Sequence, residues 1–316
     1  MGPPMPPSDR IERRIKLQDL HILMTVVQAG SMGKAAERLN TVQPAISRSI
    51  AELEATVGAR LLDRHRHGVE PTEFGRALLD CGVAVFDDLH QGMKNIQHLA
   101  DPTGGEVRIG CTPVLSATFV PAVIDRLSRR YPRIVFHLVT DYVETLHREL
   151  SERRVDLLVA GRLGPLTDEH LDWEFLFDDS FVVVAGARSP WVRRRRINLA
   201  DLVNETWVLP PRGGAFGSVA MEAFHASGLD CPRATVFAVS YEARLSLLAT
   251  GRFLSIFPVS AVRFPRRPDI KVLPAKLRVS RPPNGIAILK NRTLSPVARL
   301  FIEHAREVAK PLAKNE

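Results

Sequence analysis

The chain has 316 residues, 45% of them hydrophobic and 25% charged, which is ordinary for a globular protein with two or three domains. No stretch approaches the roughly 20 apolar residues of a membrane span, and three cysteines, Cys81, Cys111 and Cys231, lie too far apart for a metal cluster or a disulfide framework. The formal charge is +8, yet residues 1 to 100 carry 12 Lys plus Arg against 12 Asp plus Glu, so the whole excess falls beyond residue 100.

The opening "MGPPMPPSDRIERRIK" has four prolines and no apolar h-region. Residues 1–14 are therefore expected to be a disordered lead rather than a secretory signal, and the protein is expected to be cytoplasmic. In "SMGKAAERLNTVQPAISRSIAELE" the apolar positions keep helical spacing on both sides of Asn40-Thr41: Ala35, Ala36 and Leu39 before, then Ala45, Ile46, Ile50 and Leu53. Two helices are predicted, with Ser31 capping the first and Thr41 the second. Pro44 then falls in the first turn, where a missing N–H has no helical partner to lose. Gln43, Ser47 and Arg48 point outward together from the start of the second helix. This is a helix-turn-helix pattern with DNA-reading chemistry: Gln can pair with adenine, Arg with guanine O6 and N7, and Ser with phosphate or a base edge. The plain alternative is an αα-hairpin with a solvated polar face.

Gly58 suits a helix C-terminus, and "RLLDRHRHGVEPT" reads as two short strands around a basic tip of Arg64, His65, Arg66 and His67. Such a hairpin beside a reading helix forms a wing for phosphates or a minor groove; the alternative is a solvated basic loop. Because the net charge of this part is zero, the argument rests on Arg48, Arg60, Arg64 and Arg66 lining one face while Glu52, Glu54 and Glu73 sit elsewhere.

The whole stretch from Leu17 to Leu79 resembles the DNA-binding region of LysR-type transcriptional regulators. The resemblance is carried by Ala-Ala-Glu-Arg-Leu, Gln-Pro-Ala-x-Ser-Arg, Gly-x-Arg-Leu-Leu and the Thr-x-x-Gly that opens the next helix. It implies double-stranded promoter DNA as partner, with Ser31, Thr41, Gln43, Pro44, Ser47 and Arg48 of the head and Arg64 and Arg66 of the wing as DNA-binding residues. Val42 stands where many members carry Ser, which puts a phosphate contact there in doubt.

From Thr72 a helix is predicted to about Leu99, with an apolar stripe of Phe74, Leu78, Cys81, Val85, Leu89, Gly92 or Met93, Ile96 and Leu99. Packing on the same helix of a second chain would bury the stripe, giving a dimer with two reading heads; the alternative is packing on the chain's own C-terminal domain. The resemblance also implies that dimers can pair into tetramers and that RNA polymerase is a partner. The expected organisation is a winged helix-turn-helix over 15–72, a linker and dimerisation helix over 73–103, and a two-lobed domain over 104–316.

After "ADPTGGE" the pattern changes to strands at Val107–Cys111, Ile134–Val139 and Leu157–Ala160 with helices at Val114–Arg130 and Val143–Arg153, a βαβαβ unit with a parallel sheet. A second such unit is expected from Phe181–Ala185, Thr206–Leu209, a helix near Phe216–Ala226, Ala234–Val239, a helix across Glu242–Thr250, and Leu254–Phe257. Gly285–Leu289 and a helix over Ser295–Lys310 then return to the first lobe, lobe I being about 104–178 and 283–316 and lobe II about 179–282. The fold class is α/β overall. The resemblance supplies the crossing connections, as in type 2 periplasmic solute-binding proteins.

In such sheets ligands lie beyond the C-terminal strand ends, near helix N-termini. "GCTPVLSA" offers Thr112, Pro113 and Ser116, and "PPRGGAFGS" offers Arg212, Gly213, Gly214, Phe216 and Ser218, so a small carboxylate or sugar acid between the lobes is the expected effector; ordinary capping and turn chemistry is the alternative. By resemblance the wall adds Thr140, Tyr142 and Ser240. Arg252 follows Gly251 where relatives carry a small residue, and an exposed side chain is expected there. The chain has no Gly-x-Ser-x-Gly, His-Glu-x-x-His, Walker A or Gly-x-Gly-x-x-Gly, and its ten histidines lack metal spacing, so neither an enzyme nor a cofactor nor a metal is expected. A solute-binding protein with an added N-terminal segment is a further alternative. The run "VRRRR" at Val192–Arg196 is read as a solvated loop, with a second nucleic-acid contact as the weaker alternative. Each cysteine is read as a small core residue, with redox sensing as the minor alternative.

Overall fold

The computed structural model describes residues 15–65, 68–161, 169–212, 215–233, 236–263, 268–279 and 281–313; the N-terminal lead lies outside them. Residues 1–90 and 91–316 form two compact units.

In the first unit α1 (Leu17–Ala29), α2 (Met32–Arg38) and α3 (Gln43–Val57) enclose a core that includes Leu23, Val26, Ala35, Ile46, Ile50 and Leu61. Ser31 caps α2 as expected, its Oγ accepting the Lys34 N–H at 3.1 Å. Asn40 makes the turn in the left-handed region at φ 51°. The cap of α3 is Val42, not Thr41: the Thr41 N–H donates to the Ala36 carbonyl at 2.9 Å, holding Thr41 in the turn, and no side chain caps α3. Pro44 lies in the first turn of α3, where it removes a donor no helical carbonyl would have met. Ala45, expected on the buried face, is exposed, because the stripe runs through Ile46, Ile50 and Leu53 and leaves position 45 about 100° away.

Gly58 ends α3 at φ 80°. The wing follows as β1 (Leu62–His65) antiparallel to β2 (Gly68–Pro71), with Arg66 and His67 of its tip outside the described residues. Thr72 then caps α4 (Glu73–Ala100), accepting the Gly75 N–H at 3.0 Å and donating to the Arg60 carbonyl at 2.7 Å. A Cβ at Gly75 would sit 2.0 Å from the Leu61 carbonyl oxygen, so only glycine lets the first turn of α4 lie against the strand before it. Phe74, Leu89, Met93, Ile96 and Leu99 of the α4 stripe are exposed. Cys81 is exposed too, contrary to a core role, because its neighbour Gly82 is the position that faces Leu20 and Met24.

The second unit holds a five-stranded sheet whose strands lie in the order Arg133–Thr140, Gly104–Cys111, Leu157–Gly161, Pro283–Leu289 and Leu171–Asp178. β3 (Gly104–Cys111), β4 (Arg133–Thr140) and β5 (Leu157–Gly161) are parallel, as the βαβαβ reading requires. The helix expected over Val114–Arg130 is two, α5 (Pro113–Ala117) and α6 (Phe119–Arg130). Pro121 explains the break: in one continuous helix its ring would collide with the Ala117 carbonyl, and Thr118 leaves helical geometry at φ −130°, ψ −81°. α7 (Val143–Ser151) leads into β5, and after it comes β6 (Leu171–Asp178), a strand that hydrophobic spacing does not indicate. β12 (Pro283–Leu289) inserts antiparallel between β5 and β6, and α11 (Pro296–Ala313) packs on α6 and β6. Ser295 caps it, accepting the Ala298 N–H at 3.1 Å. Phe119, Phe177 and Phe301 fill this core.

Lobe II departs from the parallel unit expected for it. β7 (Phe181–Gly186) lies antiparallel to both β10 (Leu254–Pro258) and β11 (Ile270–Val272), while parallel pairing among the described residues is limited to the short β8 (Val208–Leu209) with β9 (Val236–Phe237) and a single bridge between Trp207 and Leu254. The reason is the crossover: β7 carries the chain away from lobe I and β10 brings it back, so Phe181 stands opposite Pro258. α8 (Ala215–His225) and α9 (Tyr241–Ala249) cover this sheet, and the short α10 (Ser260–Arg263) follows β10. Trp207 is fully buried at its centre, its indole N–H donating to the Leu202 carbonyl at 2.8 Å.

Candidate DNA-reading head and interlobe cleft

The head is a rigid frame built by local hydrogen bonds. Glu54 of α3 turns its carboxylate inward to accept the Leu61 and Leu62 N–H groups at 2.8 and 3.2 Å, fixing the reading helix to the first wing strand. The Val69 N–H donates to the Gly30 carbonyl at 3.0 Å, fixing the second strand to the end of α1. With Ile46, Ile50 and Leu53 buried, α3 presents Gln43, Pro44 and Arg48 to solvent, with Ser47 half-buried beside them. The Gln43 side chain lies beside Gly33 of α2, its Oε1 at an ordinary contact distance of 3.5 Å from where a Cβ there would be. Arg64 is exposed on the wing, and neither it nor Arg48 forms a salt bridge among the described residues. Ser31 is engaged as a cap and Thr41 is exposed in the turn. The arrangement offers an amide and a guanidinium at the start of a helix narrow enough for a major groove, with a basic hairpin alongside.

In the second unit, Val114 and Leu115 of α5 and Val219 of α8 line one cavity with Asp179, Pro258 and Asn284. Apolar residues of α5 and of α8 thus share this cavity, while Thr112, Ser116 and Arg212, the polar residues expected to face each other, are not among those lining it. The cavity is only about 20 Å³, room for water but far below the roughly 300 Å³ at which organic ligands are held. Thr112 is buried, and Ser116 donates its hydroxyl to the Pro113 carbonyl at 2.9 Å. Ser240 caps α9, accepting the Ala243 N–H at 3.1 Å. Thr140 and Tyr142 are exposed at the end of β4, and Arg212 is exposed with its guanidinium 5.8 Å from the Phe237 ring. Gly213, Gly214 and the Phe216 side chain lie outside the described residues. Arg252 is exposed over Phe253, 5.5 Å from the ring, as expected.

Burial pushes the Cys111 thiol up to about 11, with the Thr140 hydroxyl opposing, so it is an inert core residue. Among the described residues no three His, Cys, Asp or Glu side chains gather as a metal site, and no helix is long and apolar enough to cross a membrane.

Comparison with known proteins matches residues 17–76 to the bacterial regulatory helix-turn-helix protein, lysR family, and residues 100–310 to the LysR substrate binding domain. The chain belongs to the LysR family of bacterial regulators. It is similar to the HTH-type transcriptional regulator GbpR of Azospirillum brasilense, 27% identical over 94% of this chain and 87% of that protein. In structure it is similar to full-length OxyR from Pseudomonas aeruginosa, with a TM-score of 0.66 and 23% identity over 96% of this chain and 99% of that one. It is also similar to full-length CbnR complexed with its target DNA, with a TM-score of 0.53 and 22% identity over 93% of this chain and 100% of the other.

Three features of this LysR-type regulator escaped sequence reading. Asp179, in the crossover between β6 and β7, accepts the Ser260 N–H at 3.1 Å and the Ser260 hydroxyl, tying the outgoing crossover to α10. Burial pushes its carboxyl up to about 6, although Ser260, the Val259 N–H and the nearby Arg263 charge favour the ionised form. Asp156 and Arg292 form a buried ion pair at 3.1 Å, and Asp156 also accepts the Arg108 N–H at 2.8 Å. Arg244 of α9 is buried with its guanidinium 4.7 Å from the Phe257 ring, and burial lowers its pKa to about 10. Each joins residues far apart in the chain, and no local motif marks any of them.

Proposed function

We propose that this LysR-type regulator reads promoter DNA through Gln43, Pro44, Ser47 and Arg48 of α3 with Ser31, Thr41, Arg64 and Arg66 around them, and that a small anionic effector binding between its lobes alters transcription. The effector reading rests on one observation: α5 and α8, opened by the two donor-bearing segments, line the same interlobe cavity. The effector-binding residues in this reading are Thr112, Pro113, Ser116, Thr140, Tyr142, Arg212, Gly213, Gly214, Phe216 and Ser240. Because that cavity is about 20 Å³, an effector enters only as the lobes move apart, which gives the two states a regulator needs. The exposed stripe of α4 supports a homodimer, which can pair into a tetramer, and RNA polymerase in the cytoplasm is the downstream partner.

The same small volume favours a second reading, a regulator that binds DNA without any effector. Footprinting of the purified protein upstream of its own coding region, with and without a panel of organic and sugar acids at fixed salt, separates the two. A two-fold footprint that changes length with one compound supports the effector reading. A footprint that no compound changes supports the second, and no protection beyond random DNA refutes both.

A further inference from the structure

The excess positive charge of this chain lies outside the DNA-reading head, and the structure places much of it in one spot. Arg193, Arg194, Arg195 and Arg196 are consecutive and all exposed on lobe II, Arg193 closing a 3-10 turn over Pro190–Arg193 and the other three following it. None of the four forms a salt bridge or a hydrogen bond through its side chain among the described residues. The run is held at both ends: Trp191 and Val192 pack on the lobe II core before it, and Ile197 is buried in that core after it. Arg194 is extended, at φ −80° and ψ 131°, so the guanidinium groups project from a stretched segment whose ends are fixed. Arg188 stands just before the turn, donating to the Ala249 carbonyl at 2.8 Å, and its Cβ is 3.0 Å from where a Cβ on Gly251 would lie, which brings exposed Arg252 beside it. The nearest acidic side chain in sequence, Asp201, is turned to accept the Asn198 N–H at 3.0 Å.

We propose that this arginine cluster is a second, sequence-independent DNA contact that binds backbone phosphates of duplex DNA. Guanidinium forks match phosphate oxygens in pairs, and an unpaired, anchored set of them needs no ordering before contact. A protein partner fits less well, because protein interfaces need an apolar or aromatic centre. The exposed run itself carries no large hydrophobic side chain, and its apolar neighbours Trp191, Val192 and Ile197 are committed to the lobe II core. The inference is independent of the effector reading and adds to the DNA binding of the head.

The test uses the full-length protein and a random-sequence duplex of about 60 base pairs, with affinity measured by fluorescence anisotropy across roughly 50 to 200 mM salt. In the variant Arg194→Gln/Arg195→Gln/Arg196→Gln the plot of log affinity against log salt becomes shallower by about 2 to 3, since each phosphate that a guanidinium neutralises contributes about 0.9 to the slope. The matching triple Lys variant retains the wild-type slope, since the charge is kept. An unchanged slope in the Gln variant overturns the proposal, as does a Lys variant as weak as the Gln variant. Unchanged DNA affinity with lost transcription by purified RNA polymerase overturns it in favour of an acidic protein surface. Failure of the wild-type chain to bind any duplex is a different outcome, which would sink the DNA-reading head together with this contact.

Discussion

Replacing Asp179 with Asn should leave the crossover geometry intact while removing a titration from it. The amide oxygen still accepts the Ser260 N–H, and the amide N–H can donate to the Ser260 hydroxyl, which reverses its role. In the wild type, burial raises the carboxyl from 3.8 to about 6, so the folded protein holds that proton more tightly than the unfolded chain does. The contribution is therefore greatest below about 3.8 and is lost as pH rises through about 6. About two pH decades at about 1.4 kcal/mol each give about 3 kcal/mol. Asp179→Asn lacks this dependence, so wild type should lose about 3 kcal/mol relative to it between pH 3 and pH 7, equivalent to about 6–12 °C in melting temperature for a unit of this size. Thermal or urea unfolding of both proteins at matched pH values across that window measures the difference. Parallel stability curves, or a wild type that gains on the variant as pH rises, would refute the burial argument.

Other outcomes follow from the same structure. Gly75→Ala sets a methyl against the Leu61 carbonyl, and overpacking of this kind should lower head stability by about 1 to 3 kcal/mol, read as an earlier melting transition. Arg48→Ala should cost about 1 to 3 kcal/mol at the operator and relax base preference, with equal losses on operator and random DNA contradicting base reading. Arg292→Met leaves Asp156 charged, buried and without its partner, and should cost about 3 to 5 kcal/mol in chemical denaturation; a loss under about 1 kcal/mol would mean that water reaches Asp156.

The DNA-reading head was legible because its determinants are local. Ser31, Asn40, Pro44, Gly58 and Thr72 act within a few residues of themselves, so caps, turns and helix ends could be read in order, with Thr41 and Val42 exchanged by one position. The apolar stripe of α4 was equally plain, since helical spacing is a property of the chain alone. In lobe I, Pro121 was a local signal for the break at Thr118 that hydrophobic spacing alone overrode.

What the tertiary structure alone decided are the relations between distant segments. Strand direction in lobe II follows from the chain having to leave and re-enter lobe I, and β12 finds its place between β5 and β6 only after the whole of lobe II has intervened. Asp179 depends on Ser260 for its hydrogen bonds, and Asp156 on Arg292 for its counter-charge, partners that no spacing rule connects. Even the 20 Å³ between α5 and α8 could not be read from the donors flanking it. Periodicity and capping record what a residue does to its neighbours in sequence, whereas burial, register and cavity volume depend on which surfaces the folded chain brings together.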